Sequence, residues 1–256
     1  MSNTPVQLVA ERPSRPSTNG DTDASSGRRD SLPTGERLAT RHFDFATLSG
    51  ADRYRLLAST IMPRPVAWVV TCSPEGAVNA APYSFFNLFG SDRPVVALGI
   101  LARPGRPKDT AANIRATGEF LINLVPFALA EAMNLTCVDA PPEIDEIALA
   151  GLGTLPSVAI HPPRIAESPV AFECRLSHLL ETGPDQLLVV GEVLHAHYAC
   201  HVLTGDAERP RVDSAALDLV GRMHGTSAYT RTRDGFDLHR PLWDVDKAAA
   251  ATRSQE

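Results

Sequence analysis

Asn79-Ala80-Ala81-Pro82-Tyr83-Ser84-Phe85-Phe86-Asn87 is an apolar run in which small residues, hydroxyls and one proline interrupt the bulky side chains. Ser73-Pro74-Glu75-Gly76 precedes it as a turn, and before that turn Val66 to Thr71 reads as a buried strand. Val78 to Phe86 is then the returning strand of a hairpin. Alternation puts Ala81, Tyr83 and Phe85 on one face and Ala80, Ser84 and Phe86 on the other, unless Pro82 breaks the register. A proline inside a strand belongs at an edge or a bulge, where backbone donors and acceptors stay unpaired. A kinked core strand explains the run equally well, because short apolar runs are ambiguous.

Gly50 to Thr60 reads as a short helix with Leu56 and Leu57 inward, stopped by Pro63 and Pro65. Val95 to Ile100 is a further strand. Asp109 to Thr117 is a helix capped by Asp109 or Thr110, with Ile114 on its inner face and Gly118 ending it. Phe120 to Val125 is a strand, Phe127 to Leu135 a short helix, and Asp145 to Ala150 a helical piece in a polar excursion. Val170 to Leu180 and Leu187 to Tyr198 form a long hairpin around Gly183-Pro184-Asp185. Strands dominate and do not alternate strictly with helices, which favours an antiparallel barrel with helical insertions over a doubly wound sheet. No GxGxxG follows a strand, so a dinucleotide-binding Rossmann unit is not expected.

Residues 1–41 are rich in Ser, Thr, Pro, Gly, Asp and Arg without apolar periodicity and read as a disordered tail. Residues 42–242 form the folded domain, and 243–256 a flexible C-terminal tail. With 43% apolar and 21% charged residues the composition is that of an ordinary globular protein. A formal charge of −6 speaks against a nucleic-acid partner. No apolar run is long enough for a membrane span, and the N-terminus lacks the apolar core of a secretory signal. Cys72, Cys137, Cys174 and Cys200 are scattered without a CxxC pair, so a reducing cytoplasm is the default compartment.

Lys108-Asp109-Thr110 opens a helix. A helix N-terminus offers backbone N–H groups and partial positive charge to a phosphate; Lys108 adds a full charge and Thr110 a hydroxyl. Arg103 and Arg106 stand just upstream in a Pro/Gly loop. Taken alone the tripeptide is more often an ordinary cap beside solvated basic residues. Read with the Pro82 edge, where Ala80 and Ala81 leave room for a flat ring and Ser84 can donate, it points to a phosphorylated aromatic cofactor, FMN. Gly221-Arg222-Met223-His224-Gly225, with Tyr229 beyond, reads as a tight loop presenting a histidine, a residue type suited to steering a proton or a substrate anion, or as a plain solvated loop. His195 and His197 share a strand face, yet no carboxylate pattern joins them, and no metal site is assigned. There is no G-x-S-x-G nucleophile motif, and Cys72 reads more readily as a buried thiol.

Pro63-Arg64-Pro65-Val66-Ala67-Trp68-Val69-Val70-Thr71, Asn79 to Asn87, Lys108-Asp109-Thr110, Gly118-Glu119-Phe120, Cys174 after Phe172-Glu173, Gly191-Glu192-Val193 and Arg222-Met223-His224-Gly225 follow one another in this order. Together they resemble the flavin reductase-like family with the FMN-binding split barrel, which includes flavoredoxins and the reductase components of two-component monooxygenases. The resemblance spans about residues 43–241. It implies a mainly β (α+β) fold, a six-stranded antiparallel split β-barrel with short helical insertions. It also implies a homodimer with FMN at or near the interface, which would protect open barrel edges. Carried over by residue, Thr71, Asn79, Ala80, Ala81, Pro82, Tyr83 and Ser84 line the isoalloxazine and ribityl chain, and Lys108, Asp109 and Thr110 sit at the phosphate. Arg64 and Trp68 add contacts, Tyr229 belongs to a C-terminal segment that closes over the flavin in some members, and His224 is the candidate catalytic residue, steering a proton or the substrate. Asn79-Ala80-Ala81 stands where Asn-Leu-Ala is more usual, which leaves extra space.

The function implied is an NADH- or NADPH-dependent flavin reductase that supplies a monooxygenase component. Its rivals are an FMN-dependent oxygenase or dehydrogenase acting on a small organic metabolite, and a flavoredoxin-like electron carrier. Without a Rossmann motif no ribose selector separates NADH from NADPH.

Overall fold

A computed structural model describes residues 39–102, 104–105, 107–142 and 144–240. The expected N-terminal tail falls outside the described residues up to position 38, the expected C-terminal tail falls wholly outside them, and so do Arg103 and Arg106. The chain divides into two units, Met1–Asp44 and Phe45–Glu256. In the first, residues 39–44 carry no helix or strand, and the Arg41 guanidinium lies 5.0 Å from the Phe43 ring centre.

The second unit is built on seven antiparallel strands: β1 (Ala67–Cys72), β2 (Val78–Tyr83), β3 (Phe85–Phe89), β4 (Val95–Leu101), β5 (Glu119–Leu124), β6 (Val170–Gly183) and β7 (Gln186–Tyr198). Their order across the sheet is β2-β1-β5-β6-β7-β4-β3. The long β6–β7 hairpin, turned at Asp185 with φ 56°, forms the centre. The rims are β2 and β3, consecutive in the chain and separated only by Ser84. A sheet whose two rims are joined by one residue must curl, and it does so as a half-barrel.

That corner corrects the expected strand count from six to seven, because the run from 78 to 86 serves both rims instead of forming one strand. Pro82 sits on a rim strand opposite Trp68, where its missing N–H breaks no ladder bond on the outer side. Phe85 is not on a face with Ala81 and Tyr83, since the chain changes rims between them.

The β1 run is buried throughout because both faces of the curled sheet are covered. Ala67 and Val69 point to a core with Leu98, Ile114, Phe120 and Val189, while Trp68 and Val70 point to a second core with Ala80, Leu121, Met133 and Ile147. The first is plugged by helix α2 (Asp109–Thr117), which ends at Gly118 in the left-handed region, φ 70°. The second is covered by α3 (Ala130–Leu135) and α4 (Glu146–Leu149), the latter N-capped by the Asp145 carboxylate. Helix α1 spans Gly50–Thr60 and is capped by Ser49, as its sequence suggests. Leu57, expected inward, is 48% exposed, because α1 buries only a narrow stripe centred on Ala58. A small sheet of Arg64–Pro65, Val220–Arg222 and Tyr229–Arg231 closes the fold beside these helices.

Candidate active site

Asn79, Ala81 and Tyr83 alternate along β2 and line a cavity of about 110 Å³. The N-terminus of α2 supplies Lys108, Asp109 and Thr110 to its wall, and the α3–α4 region supplies Thr136, Asp139 and Glu146. The expected caps of α2 are corrected here. Lys108 is the N-cap in extended geometry (φ −81°, ψ 138°), and no side chain caps the helix. Ala111 and Ala112 return their N–H groups to the Lys108 carbonyl, which leaves those of Asp109 and Thr110 facing the helix end.

A buried polar clamp holds this helix end against the sheet. Thr71 and Asn79 are register partners on β1 and β2. Asn79 Nδ2 donates to Thr110 Oγ1 at 2.9 Å, and Asn113 Nδ2 donates to Thr71 Oγ1 at 3.0 Å. Thr71 is fully buried and Thr110 nearly so, hence both act on a ligand chiefly by fixing where α2 begins.

Tyr83 Oη is, among the described residues, the one buried side-chain oxygen or nitrogen without a hydrogen-bond partner. Burial pushes its pKa up to about 12, so the phenol stays protonated and is a donor at neutral pH. Glu146 is also raised, by burial first, although Ala80 N–H donates to its Oε2 at 2.9 Å. Lys108 Nζ pairs with Asp139 Oδ1 at 3.1 Å. Around one ammonium the wall therefore carries three carboxyl groups, Asp109, Asp139 and Glu146.

Other anticipated contacts are used elsewhere. Trp68 is fully buried in the core, and its indole N–H donates to Thr136 Oγ1 at 2.9 Å, so its side chain is not open to a ligand. Ala80 turns its methyl to the same core. The buried Arg64 guanidinium binds the carbonyls of Ala58 and Ile61, at 2.6 and 3.0 Å, and Ser84 Oγ at 3.3 Å, which places Ser84 on the Arg64 side of β2 and not in the cavity. Neither His224 nor Tyr229 lines it: His224 is exposed on the turn of the small sheet. Tyr229 opens instead onto a separate cavity of about 520 Å³, with Arg222 stacked 4.8 Å from its ring centre. His197 Nε2 lies 2.6 Å from Glu173 Oε1, and no group of three His, Cys, Asp or Glu able to hold a metal occurs among the described residues. Glu146, Asp139 and Asn113 escape the sequence reading because no spacing links them to β2; they arrive through packing alone.

The family model described as "Flavin reductase like domain" matches residues 58–215. The chain belongs to the flavin reductase-like family. A Deinococcus radiodurans protein of uncharacterised role is 45% identical over 208 residues, covering 79% of this chain and 91% of that one. Among solved structures of this family's fold, nitrilotriacetate monooxygenase component B from Bacillus cereus is 30% identical with a TM-score of 0.73, covering 79% of this chain and all of that chain. Pseudomonas fluorescens 2-nitrobenzoate 2-nitroreductase is 32% identical with a TM-score of 0.71, covering 80% of this chain and all of that one. The flavin reductase-like match thus spans the whole seven-strand sheet. No helix among the described residues is long and apolar enough to cross a membrane.

Proposed function

We propose that this chain binds FMN and acts as an NAD(P)H-dependent flavin reductase that supplies reduced flavin to a monooxygenase component. The observation that carries the reading is the unpartnered, protonated and buried hydroxyl of Tyr83, a residue that lines the same small cavity as the uncapped start of α2. A buried donor left unpaired costs about 1–3 kcal/mol, and a bound acceptor removes that cost. The cavity of about 110 Å³ is smaller than the roughly 300 Å³ or more of most ligand sites. It suits one end of a longer molecule, and the donor set suits a phosphate: Lys108 and the N–H groups of Asp109 and Thr110. Asn79, Ala81 and Tyr83 then flank the portion that leaves the cavity along β2.

FMN, when bound, provides the hydride-accepting and electron-donating chemistry. The chain's residues bind, orient and shield. Lys108 compensates charge, the Thr71–Asn79–Thr110–Asn113 clamp fixes the helix end, and Tyr83 donates a hydrogen bond without titrating. His224, exposed on its turn, is retained only as a residue that meets substrate from outside.

A homodimer belongs to this reading. Tyr54, Leu57 and Ile61 of α1 and Leu88 and Phe89 of β3 are exposed large apolar side chains, and a second copy is the occupant that would cover such residues and also extend a cavity too small for a whole flavin. The cytoplasm is the proposed compartment, resting on four free cysteines.

A second reading, direct FMN-dependent conversion of a small organic metabolite, draws on the 32% identity to a nitroreductase and on the small Ala81 in the cavity wall. Anaerobic stopped-flow absorbance of FMN-loaded protein decides between them. Rapid bleaching by NADH or NADPH alone supports the reductase and names its donor. Bound FMN that neither nicotinamide bleaches turns the assignment to the second reading, or to a carrier reduced by another protein.

A further inference from the structure

Asp139 stands where a ligand anion would stand. Its Oδ1 lies 3.1 Å from Lys108 Nζ, and both residues line the cavity at the start of α2. The segment that carries it is pinned at both ends. Thr136, 2% exposed, receives the Trp68 indole N–H, and Glu146, 6% exposed, accepts Ala80 N–H. Between these anchors Val138 and Ile144 are 48% and 40% exposed. The Asp139 side chain can thus leave Lys108 without unpacking the core.

We propose that Asp139 is an internal competitor for the ligand's phosphate, a carboxylate latch on Lys108 that is exchanged when the phosphorylated ligand binds and re-forms when it leaves. This rests on the assignment of FMN to the cavity. Electrostatics favours an exchange over simultaneous binding. Asp109 and Glu146 already line the wall, and a phosphate within a few ångströms of Asp139 as well would face like charge at short range. A partly exposed ion pair is a weak interaction, so it can be displaced by a phosphate held by backbone N–H groups too. Asp139 therefore sets how tightly the phosphate is held and eases its departure, as suits a protein that must hand its flavin on. It is a positioning residue, acting through Lys108.

The test is flavin-fluorescence titration of the full chain with FMN and with riboflavin, which lacks the phosphate. Wild type, Asp139→Asn, Asp139→Glu, Lys108→Met and the Asp139→Asn/Lys108→Met pair are compared. Asp139→Asn is expected to bind FMN about tenfold tighter, a change of about 1.4 kcal/mol, with a slower off-rate and unchanged riboflavin affinity. Asp139→Glu keeps wild-type behaviour, and the gain disappears in the Lys108→Met background. FMN binding that Asp139→Asn leaves unchanged or weakens overturns the latch while sparing the cofactor assignment. An equal gain for riboflavin also overturns it, since that reports general opening of the cavity. No FMN binding by any variant removes both the assignment and the latch.

Discussion

Arg64 Nη2 donates to the Met223 carbonyl at 3.1 Å, joining positions 159 apart in the chain. With its bonds to Ala58 O, Ile61 O and Ser84 Oγ, one buried guanidinium ties the end of α1, the corner between the sheet rims and the small sheet. Arg64→Met leaves those carbonyls without their donor. The expected loss is about 3 kcal/mol, from about 1–3 kcal/mol per buried unpaired group. For a domain of this size that lowers Tm by roughly 6–12 °C. Arg64→Lys should recover only part, because an ammonium cannot reproduce the fork. Thermal unfolding by circular dichroism measures both.

Gly191 on β7 is required by crowding. A Cβ there would meet Phe120 Cζ at 2.3 Å and Cε1 at 2.8 Å, and Phe120 is fully buried. Gly191→Ala should cost about 1–3 kcal/mol as overpacking. In a Phe120→Leu background the same substitution should cost about 1 kcal/mol less, and urea unfolding of the four proteins reads that coupling.

Glu173 is fully buried and holds the 157–163 loop by accepting Val158 and Ala159 N–H, each at 2.7 Å, and by pairing with His197. Burial works to raise its pKa, but the His197 bond and the two N–H bonds outweigh it, and the carboxyl lies below its ordinary value. A folded-state pKa below the unfolded value of about 4.3 adds stability that is present above that value and lost as pH falls through the lower one. Denaturant midpoints measured downward from pH 6 should therefore fall on acidification. In Glu173→Gln the protein should be less stable at neutral pH by about 3 kcal/mol and show a shallower acid slope. Equal slopes in the two proteins would remove Glu173 from the acid response.

Tyr83→Phe separates folding from binding. Deleting an unpaired buried hydroxyl should leave the flavin-free protein equally stable or slightly more so. FMN affinity should drop about fivefold, the worth of one hydrogen bond of about 1 kcal/mol. Differential scanning fluorimetry with and without FMN gives both numbers. A destabilised flavin-free variant would mean that the hydroxyl serves the fold.

Most strands were legible, because their apolar runs are bounded by proline and glycine and because the β6–β7 hairpin is long and continuous. Helix α2 was legible through Gly118 and its inner Ile114. The rim change at Ser84 was not, since nothing local distinguishes a corner from one kinked strand; it is set by which partner each half finds, Trp68 and Val69 on one side, Ala97 and Leu98 on the other. At the site, Asn79, Ala81, Tyr83 and Lys108-Asp109-Thr110 do converge. Arg64, Trp68 and Ser84 share their motifs but serve packing, because a motif marks a neighbourhood and not the direction of each side chain. Asp139 and Glu146 lie in a polar segment whose composition gives no hint of where it folds back.

The single-residue join at Ser84 works like the clasp of a bracelet. Its neighbour on one side is Tyr83, which lines the cavity; on the other it leads into Phe85, which packs edge-on against Tyr54 with ring centres 6.2 Å apart. The curvature of the sheet and the position of that phenol are thus set by the same grip. The end of α1 and the cavity wall therefore meet at one corner, with Arg64 bonded to both Ala58 and Ser84 and Tyr83 next to Ser84 in the chain.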